Sequence, residues 1–158
     1  MVHLYPGTKL SIGPAIENGF YYDFDLPKAI SSEDLPAIEA KMREIANRKE
    51  PFVRREVSPD EARTLFAGEP FKLELIDGIM AGRESEHGEA LAEATPVLST
   101  YKNGDFLDLC RGPHVENTGQ IGAFKLLNVA GAYWRGDEHN KMLTRIYGTC
   151  FATQAELD

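Results

Sequence analysis

Asp108-Leu109-Cys110-Arg111-Gly112-Pro113-His114 packs a carboxylate, a thiol, a guanidinium and an imidazole into seven positions. Asp108 and Cys110 are two apart, so on a strand they share a face. Gly112-Pro113 bends the backbone out of that strand, and the turn can carry His114 back over the same face. Three chemistries compete for this layout. Cys110 and His114 are a plausible pair of zinc ligands, but zinc takes at least three protein ligands and His3, His87 and His139 are scattered. Cys110 is alternatively a nucleophile with His114 as its base. In the third reading His114 is the acid/base or water-positioning group, tuned by Asp108. The fourth possibility is a buried cysteine and a structural histidine in a turn. The pattern alone does not choose among them.

Lys72 stands alone in an apolar and acidic stretch, Phe71-Lys72-Leu73-Glu74-Leu75-Ile76, whose alternation reads as a strand. On a pocket face it supplies a positive charge beside a reacting carbonyl or water; on the other face it is a solvated lysine. Tyr21 and Tyr22 point to opposite sides of a strand, so one packs and the other can line a pocket. Trp134 and Tyr133 read as core packing.

These side chains need elements to place them. Asn18-Gly19 precedes the aromatic run Gly19–Asp25, a hairpin signal. A long helix follows, capped by Ser31 with Asp34 three residues on, with Leu35, Ile38, Met42 and Ile45 on one face and an end before Pro51. Phe52–Val57 reads as a short strand. Ser58, Pro59 and Glu61 start a second helix that stops near Gly68. Residues 77–96 are acidic and read as a loop with a short helix. Val97–Tyr101 and Phe106–Leu109 form strand, turn, strand. Ala123–Val129, Ala132–Arg135 and Leu143–Phe151 supply further strands. Thr153 and Glu156 form a capping box with almost no helix behind it, which suggests a chain cut from a longer protein. The expected fold is α+β: a mostly antiparallel sheet with one long helix and one or two short ones.

Length and charge narrow the function. The chain has 158 residues, one domain of ordinary size. Seventeen Lys and Arg against twenty-five Asp and Glu leave a net charge of −8. That argues against wide, sequence-independent gripping of nucleic acid, though not against a narrow contact with one end. Lys41 to Arg55 nevertheless holds six basic residues and two acidic ones, either a modest phosphate-facing stripe or a solvated helix face. No apolar run approaches the roughly 18–20 residues of a membrane span. Two cysteines and no signal-peptide pattern point to a reducing cytosol, so the expected location is cytoplasmic.

Four long motifs, in order, make a specific resemblance. Ser11-Ile12-Gly13-Pro14-Ala15-Ile16-Glu17-Asn18-Gly19-Phe20-Tyr21-Tyr22-Asp23 resembles the opening of the editing domain of bacterial-type threonyl-tRNA synthetases. The Cys110–His114 run resembles that family's C-R-G-P-H segment. Phe124–Leu127 with Ala130–Asp137, and Arg145–Thr149, resemble its last strands. The similarity runs from about Tyr5 to the end.

The resemblance implies hydrolysis of seryl-tRNA wrongly made on threonine tRNA. Serine lacks one methyl of threonine, and a pocket rejects such a substrate by only about 1–3 kcal/mol, so a second, smaller site must remove the errors. By the resemblance, His114 and Lys72 act on the attacking water, while Asp108, Cys110 and Tyr22 form the amino-acid pocket. It implies no cofactor in this domain, with ATP and zinc used elsewhere in the parent ligase. The implied partners are the 3′ end of threonine tRNA carrying serine and the rest of a synthetase that forms a homodimer. The family also carries an H-x-x-x-H helix just upstream of the region matching Tyr5-Pro6-Gly7. The expectation is therefore that residues 1–158 are an editing-domain fragment without that helix and without the downstream aminoacylation domain. The related alanyl editing domains bind zinc through a His/His/Cys/His set; the threonyl family is read as metal-free there. A free-standing trans-editing deacylase and a non-catalytic tRNA-docking remnant are the alternatives.

Overall fold

The aromatic run Gly19–Asp25 is the strand β3 around which the larger of two sheets is built. A computed structural model describes residues 1–81, 98–110 and 112–157. The short strands β1 (Lys9–Leu10) and β2 (Ala15–Ile16) both pair antiparallel with β3. β8 (Met142–Phe151) pairs with its other side, and β7 (Ala123–Tyr133) pairs with β8. The smaller sheet holds β4 (Val53–Val57), β5 (Leu98–Asn103) and β6 (Phe106–Leu109) in that order, also antiparallel. Four α-helices complete the described fold: α1 (Leu35–Asn47), α2 (Pro59–Leu65), α3 (Pro70–Met80) and the single turn α4 (Gln154–Leu157). The architecture is the α+β type that the residue patterns predict.

The helix starts follow their local chemistry. Ser31 and Asp34 form a capping box, with a 3-10 turn at Ser32–Asp34 leading into α1. The Ser58 hydroxyl accepts from the Glu61 amide, and Pro59 opens α2. The two strands expected at Ala123–Val129 and Ala132–Arg135 are one, β7. A register shift between Leu126 and Asn128 absorbs the irregularity, and the chain then turns at Trp134–Gly136.

One expectation is overturned. Phe71–Ile76 is not a strand but the first half of α3. Phe71, Leu75 and Ile79 recur at a spacing of four, which a helix satisfies as well as alternation satisfies a strand, and six residues cannot separate the two. Pro70 at the first helical position is the signal that decides it. The expected loop at 77–96 is also corrected at its start, because α3 runs on to Met80; residues 82–96 lie outside the described residues.

α3 matters because it joins the two sheets. Phe71 and Leu75 pack with Trp134 and Leu143 against the larger sheet. Ile76 and Ile79 pack with Val57, Leu98 and Leu109 beneath the smaller one. A third apolar cluster fills the space between α1 and the other face of the larger sheet, where Leu35 and Ile38 meet Phe24, Leu126 and Ile146. Leu75 and Ile76 are fully buried. Trimming either to alanine costs about 2–5 kcal/mol, so the helix is held firmly in place.

Candidate active site

The hairpin register assembles the site. Asn103 pairs with Phe106 across a two-residue turn, which places Tyr101 directly opposite Asp108. With a period of two, Tyr101, Asn103, Phe106 and Asp108 face one side, and Cys110 continues that side beyond the strand end. Tyr22 of β3 comes over this face from the larger sheet, and Lys72 reaches it from the first turn of α3. Together with Ile12, Gly13, Phe52 and His114 they line a cavity of about 280 Å³.

Asp108 is the hub. Its Oδ1 lies 2.7 Å from the Lys72 ammonium and accepts from the Leu109 amide at 2.8 Å. Its Oδ2 accepts from the Tyr22 hydroxyl at 2.7 Å. Lys72 is 2 % exposed, and this carboxylate is its ion-pair partner. The Tyr22 phenol is pushed well above its usual range, first by burial and then by the neighbouring Asp108 carboxylate, which keeps it a proton donor. The Lys72 ammonium also lies 5.6 Å from the Tyr22 ring centre. A side chain at Gly13 would overlap the Tyr22 ring, so that ring occupies its position only because residue 13 is glycine.

His114 stands at the exposed rim. Its Nδ1 lies 3.9 Å from the Cys110 Sγ, and that sulfur accepts from the Gly112 amide at 3.4 Å. Gly112 has a φ of +81° and precedes a cis Gly112-Pro113 bond. The return of His114 over the Asp108–Cys110 face is therefore the geometry the motif predicts. Burial lowers the His114 pKa; a hydrogen bond to the Pro113 carbonyl and the charge on Asp108 oppose that, and the lowering wins. The ring is neutral near pH 7 and can accept a proton.

Cys110 and His114 are the two neighbouring groups a zinc ion would need first. Among the described residues, no group of three His, Cys, Asp or Glu side chains gathers to hold a metal.

All five residues singled out in the sequence, His114, Lys72, Asp108, Cys110 and Tyr22, line this one cavity. Tyr101, Phe52, Ile12 and Phe106 line it too and were not anticipated. For Tyr101 the signal was available: a two-residue turn fixes the register, and the register puts Tyr101 across from Asp108. The basic run at 41–55 is largely spent on local pairs: Lys41 and Arg48 meet Glu44, Arg43 meets Glu39, Arg54 meets Glu56 and Arg55 meets Glu61. Trp134 is buried as expected, while Tyr133 is 40 % exposed and packs no core.

A small two-sheet α+β domain with a carboxylate, an ammonium, a thiol and an imidazole around one cavity defines a class. Residues 98–147 match the family model for the threonyl and alanyl tRNA synthetase second additional domain, a stretch that includes β5, β6 and the Cys110–His114 turn. Over 157 residues, 99% of this chain, the sequence is 56% identical to a threonine–tRNA ligase of Rubrobacter xylanophilus. It is 54% identical over 98% of the chain to the threonine–tRNA ligase of Rhizobium rhizogenes, and 50% identical over 99% to that of Dehalococcoides mccartyi. The chain spans 22% of the first two relatives and 25% of the third. Residues 98–147 belong to the threonyl and alanyl tRNA synthetase second-additional-domain family, and the chain as a whole is similar to threonine–tRNA ligases. No described helix is long and apolar enough to cross a membrane.

Proposed function

We propose that this chain is the editing module of a threonine–tRNA ligase and hydrolyses the ester of seryl-tRNA wrongly formed on threonine tRNA. The observation that carries the reading is the Lys72–Asp108–Tyr22 cluster facing His114 across one small cavity. A space of about 280 Å³ suits an amino-acid-sized group and is small for a nucleotide.

In this reading neutral His114 takes a proton from water as the water oxygen bonds to the seryl carbonyl carbon. The buried Lys72 ammonium stabilises the negative charge that develops on the carbonyl oxygen. The carbon–oxygen bond to the ribose then breaks, and the proton held by His114 passes to the ribose oxygen. Serine and a tRNA with a free 3′-terminal hydroxyl leave. A carboxylate has about four lone-pair sites, and three donors already reach Asp108, so one site remains for the seryl ammonium. Cys110 forms part of the wall. The tRNA body, a cytoplasmic setting and a dimeric parent ligase belong to the same proposal.

The test is the release of serine and of threonine from the corresponding tRNAs. It compares this chain with a form extended upstream through the H-x-x-x-H element that the family carries. The reading expects the extended form to release serine and to spare threonine. An extended form that spares both overturns it.

A further inference from the structure

His114 does not choose its own orientation. Its ring lies stacked on the Tyr101 ring, with centroids 4.0 Å apart and planes 16° from parallel. The Phe52 ring meets it edge-on at 5.4 Å and 63°. Tyr101 in β5 and Phe52, the residue just before β4, thus hold an imidazole that sits on a turn at the exposed rim. Tyr101 is 9 % exposed and anchored in the middle of β5, paired with Arg54 on one side and Asp108 on the other. The turn is shaped around it as well: a side chain at Gly112 would run into the Tyr101 hydroxyl. The loop can pass over the tyrosine only with glycine there.

We propose that Tyr101 is a positioning residue for the reaction: it fixes the plane of the His114 ring, which Phe52 meets edge-on. This rests on the reading of His114 as the proton acceptor. A base on a turn samples many side-chain rotamers, whereas proton transfer needs one geometry held within about 3 Å of the water. A stack of two flat rings restricts the imidazole to its own plane and leaves its in-plane nitrogens free to meet the substrate. The requirement is for a flat ring at 101, not for the phenol oxygen.

The experiment has two arms. In the first, single-turnover hydrolysis of seryl-tRNA is measured for the full-length ligase carrying Tyr101→Leu, Tyr101→Met, Tyr101→Phe or His114→Ala. The two aliphatic replacements are of similar volume, so if one fails to fold the other still reads the effect. Either is expected to lower the rate constant at saturation by about 10- to 100-fold with KM within about twofold, the size expected when a catalytic group is misplaced by about 1 Å. Tyr101→Phe is expected to recover the rate to within about threefold. In the second arm, the ring carbon and proton resonances of the four histidines of this chain are recorded, and His114 is assigned by its loss in His114→Ala. The stacked His114 proton should be shifted upfield in the wild type and in Tyr101→Phe, and should return to an ordinary position in the aliphatic variants.

An aliphatic variant with an unchanged rate overturns the proposal, and so does one that keeps the His114 shift. A Tyr101→Phe variant as slow as the aliphatic ones overturns it too, because the hydroxyl would then be the active part. The two readings fail separately. If His114→Ala keeps the wild-type rate, the editing role of His114 falls, while the resonance arm still reports whether Tyr101 orients the ring.

Discussion

The Lys72 ammonium and the Asp108 carboxylate stand 2.7 Å apart, on a helix and a strand that belong to different layers of the fold. Their side chains are 3 % and 16 % exposed, so this is a buried pair rather than a surface one. It links α3 to the smaller sheet, and through Tyr22 to the larger one. Structure and chemistry therefore share the same three side chains.

Breaking the pair from one side should be costly. Lys72→Met removes the ammonium but keeps the stem, leaving Asp108 with only the Tyr22 hydroxyl and the Leu109 amide. A buried charge stripped of its partner costs about 3–5 kcal/mol, and the two remaining bonds place this case near 3. For a domain of this size that is a fall in melting temperature of roughly 6–12 °C. Lys72→Met combined with Asp108→Leu should recover most of it, since no lone charge is left. Thermal unfolding of the two single variants and the double variant reads the coupling, and simple additivity would show that the pair is not an energetic unit.

Tyr22→Phe should cost about 1.5–3 kcal/mol, because it removes one hydrogen bond to an ionised carboxylate. It should also remove one tyrosine from the ultraviolet titration. Burial and Asp108 raise that phenol well above 10, so the tyrosine lost should be one of the last to ionise. A Tyr22→Phe chain whose late-titrating population is unchanged would contradict the assignment.

The acid limb of the deacylation rate should lie below the usual histidine value of 6.5. Burial lowers the His114 pKa, so the ring stays neutral, and able to accept a proton, to a lower pH. As pH falls through the folded value the base is lost and the rate falls with it. Stability has the same sign: between the folded and unfolded values the unfolded chain holds more protons. This contribution is therefore complete above the unfolded value and is lost as pH falls through the folded one. The pH dependence of kcat/KM in the full-length ligase checks this, and a limb above 6.5 would mean that the charge on Asp108, not burial, controls the ring.

Much of the site was legible in the sequence because its parts are local. Asp108, Cys110 and His114 sit within seven residues, and a strand followed by Gly112-Pro113 leaves few ways to arrange them. The Ser31 and Ser58 caps were legible for the same reason, since both partners lie within one turn. What was misread was Lys72. Alternation over six residues favours a strand and a solvated lysine, and Pro70 at the first helical position is the one local signal against it. Tyr101 was missed although its partner was named. Cross-strand neighbours come from register, which here follows from the two-residue turn between Asn103 and Phe106. Phe52 could not have been placed at all, because its position beside His114 depends on the tertiary fold.

The most direct test of the account is hydrolysis of seryl-tRNA on threonine tRNA by the full-length ligase, with and without His114→Ala, beside threonyl-tRNA as the substrate to be spared. The account predicts that the wild type releases serine and leaves threonine, and that the variant loses at least about 100-fold of the seryl rate, as expected for removing a general acid–base group. A variant that clears seryl-tRNA as fast as the wild type, or a wild type that spares it, would contradict the account.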